Sequence, residues 1–336
     1  MADPEAPRIL VVGATGQLGT AAIRLLVSRG NRVRALVRAS SDHHHLISPD
    51  VEIAFGDLRD RASVCAACQG MDAVIATATV IFPRGPYSFI EDEGKGYENL
   101  VWACRQAQIN RLVFISTAAP AVRRVPTLHF KRLTEMRIQD SGIPYTIFRS
   151  APFMDDYFAL MGSSLPLRGT EAATLHRPFW LSRTFVAWTG NLIDEHGVAV
   201  VPGSPDCRHS FIAIKDVASF LVAAAGAGEG DSRIVEIGGP EPLTWRQVVR
   251  LYEHVLGHRV RILPSPAWMT AVGALALRPF SVAAANQLGV LWALAKYETV
   301  IDGDSAAREF GVSLTSAEEF LHEKVVTAVT SGWVPA

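Results

Sequence analysis

A glycine-rich segment near the start of the chain has the spacing of a phosphate-binding loop. Its three glycines follow a short apolar run and open a helical pattern. In such a loop one glycine permits the tight turn, one lets the backbone approach a pyrophosphate, and one allows helix and strand to pack closely. Free N–H groups at the helix start then face the phosphates, helped by the helix dipole. The segment predicts a dinucleotide site formed by Gly13, Thr15, Gly16, Gln17, Leu18 and Gly19.

The end of the second predicted strand indicates which nicotinamide cofactor this site would hold. An NAD site usually has Asp or Glu there, which accepts hydrogen bonds from the ribose hydroxyls. Here the strand ends at Val37 and is followed by Arg38, and no carboxylate occurs before Asp42. Arg38 can pair with the additional phosphate of NADP, assisted by Arg34, or the two arginines can simply solvate an exposed strand end. We expect NADP(H) rather than NAD(H).

Strand and helix patterns alternate without interruption over the first 150 residues. Such alternation implies a parallel sheet with helices on both faces, because each crossover must carry the chain back across the sheet. We therefore predict an α/β, doubly wound parallel Rossmann sheet. The predicted strands are Arg8–Val12, Arg32–Val37, Val51–Ala54, Ala73–Thr77, Arg111–Ser116 and Tyr145–Phe148. The predicted helices are Gln17–Arg29, Arg61–Gln69, about 91–108 and about 128–139.

The carboxyl ends of these strands should supply the remaining cofactor contacts, because ligands of open α/β sheets bind there. We expect the adenine after the third strand, the ribose and pyrophosphate after the fourth, and the nicotinamide after the sixth. The residues at these positions are, in that order, Asp57 and Leu58, then Thr77 and Ala78, then Ala151, Pro152 and Phe153.

The regular alternation loosens after the sixth strand. We predict a nucleotide-binding domain over residues 1–150 and a C-terminal lobe over 151–336 that contains the substrate pocket. Strand-like runs at His209–Ile214 and Ile234–Ile237, with a helix capped by Asp216 between them, suggest that segments near 209–225 and 234–237 return to the sheet. The tail from Thr244 to Val325 has a largely helical pattern.

Taken together, these motifs resemble the NmrA-like group of atypical short-chain dehydrogenases. The resemblance is specific over about residues 8–158 and looser over 211–218. It implies a seven-stranded Rossmann domain with a small, mainly helical C-terminal substrate-binding lobe. The motifs that carry it are Val12-Gly13-Ala14-Thr15-Gly16 with Gly19, Leu36-Val37-Arg38, Gly56-Asp57-Leu58, Asn99-Leu100, Arg111–Thr117, Lys131, Glu135 and Ser141–Arg149.

The chain departs from the ordinary short-chain dehydrogenases at their Tyr-x-x-x-Lys motif. If Lys131 corresponds to that lysine, then Thr127 stands at the tyrosine position, and a threonine hydroxyl is far too weakly acidic to replace it. The resemblance implies two outcomes. Some NmrA-like proteins reduce substrates with lysine or another proton donor, whereas others only bind NADP and act as redox sensors or assembly factors.

Three residues are the candidates for catalysis. Lys131 could polarise a carbonyl and orient the nicotinamide ribose, or it could be an exposed helix charge that pairs with Glu135 at i+4. Tyr157 follows the sixth strand, in the region that borders the nicotinamide, and is a second candidate proton donor. Ser116 occupies the serine position of the dehydrogenases, where it could bond a substrate carbonyl or satisfy the strand terminus.

Two segments of the C-terminal region, Leu165–Trp188 and Trp268–Ala295, are apolar and carry few charges. They could line a pocket for a hydrophobic or aromatic substrate, contact a hydrophobic partner or membrane surface, or form ordinary core. The second alternative follows a loose resemblance to the nucleotide-binding accessory subunit of respiratory complex I. We predict an NADPH-dependent reductase of a carbonyl or activated double bond. The alternatives are a non-catalytic NADP-binding sensor or assembly protein, and an isomerase or cyclase with a structural cofactor.

The bulk properties exclude several other classes. A formal net charge of −1 over 336 residues gives no field to hold nucleic acid. No run reaches the roughly 18 apolar residues of a spanning helix, and Met1–Pro7 lacks the features of a signal peptide. We therefore expect a cytoplasmic protein. We expect no metal or redox site at Cys65 and Cys68, because both lie inside a predicted helix, whereas reactive cysteine pairs usually lie at a helix N-terminus. A homodimer or a protein-complex partner stays open.

Overall fold

A computed structural model describes residues 6–80, 88–175, 189–226 and 231–331 of the chain. The strands are β1 (Arg8–Val12), β2 (Arg32–Val37), β3 (Val51–Phe55), β4 (Ala73–Ala76), β5 (Arg111–Thr117), β6 (Tyr145–Ser150), β7 (Val198–Pro202), β8 (Arg208–His209), β9 (Arg233–Ile237), β10 (Leu243–Thr244) and β11 (Arg261–Ser265). The α-helices are α1 (Gln17–Ser28), α2 (Arg61–Cys68), α3 (Gly96–Gln106), α4 (Pro126–Gln139), α5 (Met154–Leu160), α6 (Ala172–Leu175), α7 (Ile214–Gly226), α8 (Trp245–Leu256), α9 (Ala267–Leu277), α10 (Val282–Lys296), α11 (Gly303–Phe310) and α12 (Ala317–Ser331).

The central element is a seven-stranded sheet with the order β3-β2-β1-β4-β5-β6-β9, in which every pair of neighbours is parallel. The order reverses direction between β1 and β4, and in sheets of this kind a crevice for ligands opens there. The predicted α/β, doubly wound Rossmann fold is therefore confirmed.

Alternate side chains of the strands enter two separate cores, as the two-residue period of a strand requires. Val11 of β1 joins the core that α1 and α7 cover, together with Phe148 and Phe220. Its neighbour Val12 joins the opposite core, which α2, α3 and α4 cover. In the described part of the chain, helices therefore cover both faces of the sheet, and ligands can approach at the ends of the strands.

The C-terminal lobe has a third core, built around the side chains of Phe158, Phe211, Trp245 and Tyr252. It contains two small sheets, β7 with β11 in parallel and β8 with β10 in antiparallel orientation. The helices α9 and α10 form a hairpin, and α10 contacts α4 of the Rossmann sheet through a small cluster around Val125.

The strand predicted over 209–214 is wrong in its length and partners. β8 covers only Arg208–His209 and pairs with β10 outside the large sheet. The following residues are extended, but they bond several segments in turn: the Ser210 amide donates to Thr299, and the Ile212 amide donates to Pro152. A chain that changes partner every second residue forms no continuous ladder, and α7 already begins at Ile214.

Other differences lie at element ends. The helix predicted from about 91 begins as a π-helix, Phe89–Lys95, before α3 continues it. Part of the predicted apolar segment Leu165–Trp188, residues 176–188, lies outside the described residues. Among the helices that are described, none combines the length and apolar character that crossing a bilayer requires.

Candidate cofactor-binding and active site

The phosphate loop lies in the crevice between the carboxyl ends of β1 and β4. Gly13 has a φ of 86°, and a Cβ at this position would lie 2.6 Å from the Ala78 backbone nitrogen. A Cβ on Gly19 would lie 2.2 Å from the Gly13 carbonyl oxygen, so α1 can approach the strand this closely only without a side chain there. Gly16 is exposed, and its Cβ position lies 3.4 Å from the same oxygen. The loop therefore leaves one open side, at Gly16.

The N-terminus of α1 faces this open side with free amide groups. Its N-cap residue, Gly16, offers no side-chain cap, and the first turn contains no acidic residue. The amide of Thr20 donates to the Gly16 carbonyl over 2.8 Å. Among the described residues, the amides of Gln17, Leu18 and Gly19 before it have no backbone acceptor outside the helix pattern. Free amides at the positive end of a twelve-residue helix suit a pyrophosphate.

The other wall of the crevice is formed by the residues that follow β4. The hydroxyl of Thr77 donates to the Val12 carbonyl over 3.0 Å, which joins the ends of the two strands. The hydroxyl of Tyr97 donates to the Ala78 carbonyl over 2.5 Å and fixes the chain beyond the strand. Thr77 and Ala78 thus border the phosphate loop, where the sequence analysis expected the ribose and pyrophosphate.

The predicted adenine region is a separate turn after β3. The Asn99 side chain donates to the Leu58 carbonyl over 2.9 Å and holds this turn against α3. Asp57 pairs with Arg59 through a contact of 2.7 Å, and the Arg59 guanidinium lowers the pKa of the Asp57 carboxyl. Arg38, directly after β2, is exposed and also lowers the pKa of Asp57. The cation at the end of β2 therefore lies near the predicted adenine turn.

Arg34 does not assist Arg38. One nitrogen of the Arg34 guanidinium donates to the carbonyl oxygens of Ala67 and Gln69, over 2.9 and 2.8 Å, at the end of α2. The Nε atom pairs with Glu52 on the neighbouring strand at 2.9 Å. The guanidinium of Arg34 is thus engaged in attaching α2 to the sheet.

Lys131 lies buried at the carboxyl end of β5. Its Nζ donates to the Ile115 carbonyl over 3.0 Å and stands 4.7 Å from the centre of the Phe114 ring. Burial lowers the pKa of Lys131, while the charges of Glu93 and Glu135 act in the opposite direction. The alternative of an exposed helix charge is therefore wrong, because the ammonium turns inward to the strand end.

The carboxylate expected to pair with Lys131 has other main partners. Glu135 is buried and accepts from Arg132, from Arg149 over 2.7 Å, and from the hydroxyl of Ser116. Two guanidinium groups thus neutralise one buried carboxylate behind β5. The hydroxyl proton of Ser116 points at this carboxylate, so only the lone pairs of its oxygen are free to receive a hydrogen bond from a substrate.

Glu93 is a candidate that the sequence analysis missed. It lies buried in the π-helix, where one carboxylate oxygen accepts from the Thr79 hydroxyl over 2.5 Å and from the Val80 amide over 2.7 Å. The second oxygen is buried without a hydrogen bond in the part of the chain that is described. This carboxylate raises the pKa of Lys131. A signal was available, because Glu93 precedes the buried Tyr97 and Leu100 by four and seven residues on one helical stripe.

A family model described as the NmrA-like family matches residues 5–285. The chain belongs to the NmrA-like family. It is 24% identical over 259 residues to the photosystem II assembly factor Ycf39 of Cyanophora paradoxa, a match covering 77% of this chain and 71% of that protein. It is 26% identical over 255 residues to the NAD(P)H azoreductase of Xenophilus azovorans, covering 75% of each chain. Its fold matches the NADPH-dependent quinone oxidoreductase of Escherichia coli, solved with NADPH, with a TM-score of 0.70, 19% identity, and coverage of 94% and 99%.

In this NmrA-like chain Thr127, which stands at the position of the missing tyrosine, is hydrogen-bonded to a residue far away in the sequence. The hydroxyl of Thr127 donates to the Asn286 carbonyl oxygen over 3.1 Å and accepts from the Asn286 amide over 2.8 Å. Asn286 is buried and comes from α10. The hydroxyl of Thr127 is thus engaged by the C-terminal hairpin, which covers the start of α4.

The segment after β6 joins the sheet to the lobe. The Ala151 amide donates to Ile237 over 2.8 Å, Pro152 accepts from Ile212 over 3.1 Å, and Phe153 forms a bridge with Ile212. Together with Lys131, Ser116, Thr77 and the glycine loop, these residues lie at the carboxyl ends of the strands from β1 to β6.

Tyr157 lies further along, on α5, and packs against the core of the lobe. Burial raises the pKa of Tyr157, which makes its hydroxyl a weaker acid than that of an exposed tyrosine. The neighbouring Asp155 acts as a helix anchor, because its carboxylate accepts from the Ile214 amide over 2.9 Å at the start of α7. Asp155 therefore ties the start of α5 to the start of α7.

The lobe also has a group of potential metal ligands that the sequence analysis did not name. His254 of α8 and Glu318 and His322 of α12 are all exposed, with ligand atoms within 4.8 Å of one another. They belong to the surface of the lobe rather than to the strand ends.

Proposed function

We propose that this NmrA-like chain is an NADP(H)-dependent reductase that acts on a carbonyl or activated double bond of a hydrophobic small molecule in the cytoplasm. The carrying observation is the buried Lys131 at the end of β5, in the same open edge of the sheet as a phosphate loop with free amides. In the proposed reductase, residues 1–150 bind the nucleotide and residues 151–336 enclose the substrate.

The cofactor preference depends on Arg38. A guanidinium can bond a phosphate through two parallel N–H groups, and such charge-assisted bonds are strong. Arg38 is exposed, directly follows β2, and lies close enough to Asp57 to act on its carboxyl. NADPH is therefore preferred over NADH, which lacks the additional phosphate.

Lys131 is the proposed proton donor. When bound, NADPH supplies a hydride to the acceptor carbon, and a carbonyl oxygen that receives the electron pair also needs one proton. Burial lowers the pKa of Lys131, which makes its ammonium a stronger acid than an exposed lysine. The negative charge of Glu93 acts in the opposite direction and raises the pKa of Lys131. Tyr157 remains a prediction as a second proton donor. Ser116 remains a prediction for a contact with the substrate, in which its oxygen would accept, because its hydroxyl donates to Glu135.

The substrate is proposed to be apolar and conjugated. The hairpin of α9 and α10 covers the start of α4 with Gly289 and Val290 against Val125, so the roof near Thr127 is largely apolar. Apolar walls with a few polar anchors are typical of sites for such molecules. A quinone oxidoreductase and an azoreductase among the similar proteins support this class.

A second candidate function is that of an NADP-binding assembly protein without turnover, acting on a protein partner or as a homodimer. Its specific support is Thr127, whose hydroxyl cannot replace a tyrosine and is bound to Asn286. The similarity to the assembly factor Ycf39 supports the same alternative.

Calorimetric titration with NADPH and NADH, followed by NADPH consumption with a panel of quinones and azo dyes, tests the proposal. We expect tight NADPH binding and turnover of at least one compound. A Lys131→Met variant should keep NADPH affinity and lose about 100-fold in turnover, while the exposed Lys95→Met keeps both. Binding without turnover would favour the assembly function. Absence of binding to either nucleotide would reject both functions.

A further inference from the structure

The outer face of α9 is apolar and has no packing partner among the residues that the structure describes. Trp268, Val272 and Leu275 follow one another at helical spacing on one face, with 66%, 58% and 72% of their surface exposed. Met269 lies beside them, and Phe280, three residues after the helix, is 86% exposed. Apolar side chains this large and this close together on a surface mark an interaction site.

The inner face of the same helix is properly packed. Thr270 is buried, and a Cβ on Gly273 would lie 3.0 Å from the Leu288 side chain, so α9 rests closely on α10. The apolar residues outside are therefore not an alternative core face of this hairpin. They form a second face, directed away from the protein.

The chain around this face carries only positive charge. Between His254 and Tyr297 there is no Asp or Glu, although a stretch of this length would contain about four at the average of the chain. Arg259, Arg261 and Arg278 are exposed in the same region. None of these three arginines forms an ion pair with the described residues. A chain with a net charge of −1 thus carries exposed cations and no carboxylate in the sequence that flanks this apolar face.

We propose that the outer face of α9, with Phe280, docks on the surface of a bilayer that contains anionic lipids. The apolar side chains would enter the boundary between headgroups and acyl chains, and the arginines would meet lipid phosphates. Trp268 suits this depth, since its ring is amphipathic. With eleven residues, α9 is about 16 Å long, about half the hydrocarbon thickness of a bilayer, so it lies in the interface.

The charge pattern favours a bilayer over a second copy of the chain. A twofold interface places the same patch on both partners, so Arg278 and its neighbours would face arginines without any carboxylate from this stretch. An anionic lipid surface supplies many phosphates for those cations. The same surface requires no matching shape, which suits the flat outer side of one short helix.

Docking would also bring the bilayer close to the candidate active site. Asn286 of α10 binds Thr127, so only the thickness of the hairpin separates the docking face from the start of α4. An apolar substrate dissolved in the membrane could then enter without crossing water. This consequence rests on the proposed function, whereas docking itself does not.

The test is co-sedimentation of the full chain with vesicles of phosphatidylcholine alone and of phosphatidylcholine mixed with phosphatidylglycerol. We expect binding to the anionic vesicles that weakens at high salt and is poor on neutral ones. A Trp268→Glu, Leu275→Glu double variant should lose binding at least about tenfold. A matched control, Ile47→Glu with Met136→Glu, changes two similarly exposed apolar residues elsewhere and should bind as the native chain does.

NADPH titration of every variant verifies that the protein is folded and separates docking from the proposed function. Equal vesicle binding of the two double variants, or none by the native chain, would overturn the proposal. A native chain that dimerises in light scattering, ignores vesicles and becomes monomeric with Trp268→Glu, Leu275→Glu would assign the face to a second copy instead.

Discussion

Thr127 and Asn286 are 159 positions apart, and hydrogen bonds in both directions join their side chains. The Asn286 carbonyl oxygen also accepts from the backbone amide of Thr127 over 3.2 Å. One buried amide group thus caps the start of α4 and occupies the hydroxyl that stands where related dehydrogenases have their tyrosine. The C-terminal hairpin and α4, which carries Lys131, are held together at this point.

Replacing Asn286 by Leu should therefore destabilise the protein. The Thr127 amide and hydroxyl would lose their partner in a buried place, which costs about 1–3 kcal/mol. Urea unfolding at neutral pH measures the change. Thr127→Ser, which keeps the hydroxyl and the amide, serves as the control and should lose clearly less. If the Asn286→Leu variant and the native protein unfold at the same urea concentration, the hydrogen bonds between Asn286 and Thr127 do not contribute to stability.

The Arg38→Ala variant should bind NADPH more weakly, with little change in the binding of NADH. A lost charge-assisted contact to the additional phosphate corresponds to about 1.5–3 kcal/mol, or roughly 10- to 100-fold in the dissociation constant. NADH affinity should stay nearly constant. Arg32→Ala removes an exposed arginine at the opposite end of the same strand and should leave both affinities unchanged. If Arg38→Ala weakened the binding of NADPH and of NADH equally, the proposed contact between Arg38 and the additional phosphate would be rejected.

Glu93→Gln should shift the pH dependence of turnover. The glutamine keeps an oxygen for the Thr79 and Val80 bonds but removes the negative charge that raises the pKa of Lys131. The pKa of Lys131 then falls, and the alkaline limb of the pH–rate profile moves to lower pH. Glu98→Gln, exposed on the same stretch of helix, is the matched control. An unchanged profile would exclude Glu93 as a positioning residue for Lys131.

His209 should make folding stability depend on pH. Burial lowers the pKa of this fully buried imidazole from 6.5 to about 4. Between pH 6.5 and about 4, the His209 imidazole is therefore protonated in the unfolded chain and neutral in the folded chain. The resulting stabilisation is complete above pH 6.5 and is lost as the pH falls towards 4, with a limit of about 3 kcal/mol.

A His209→Phe variant keeps the ring contacts with Phe211 and Trp245 but cannot titrate. We expect its unfolding free energy to fall less steeply than that of the native protein between pH 6.5 and 4. Urea unfolding at several pH values in this window provides the comparison. Parallel curves for the two proteins would mean that the imidazole is protonated equally in both states.

The backbone requirements of the glycine loop and the positions of the strand ends are predictable from the sequence, because they are local. Gly13 and Gly19 are required by backbone positions that no Cβ can occupy, and the residues that follow β2 and β4 lie at the open edge once the strands are parallel. The prediction that Arg34 assists Arg38 is wrong because the Arg34 side chain lies on the face of the sheet where α2 offers two carbonyl groups. The strand pattern alone does not show which helix packs on that face.

Local patterns in the amino-acid sequence were sufficient to predict the doubly wound sheet, the family and the position of the glycine-rich loop. Hydrophobic periods of two and of 3.6 residues, and glycines at fixed spacing, are properties of short segments. Three relationships become visible only in the folded chain: Lys131 turns inward, Glu93 raises its pKa, and Asn286 binds Thr127. These relationships join distant segments through burial and charge, and burial depends on which helices cover a strand end.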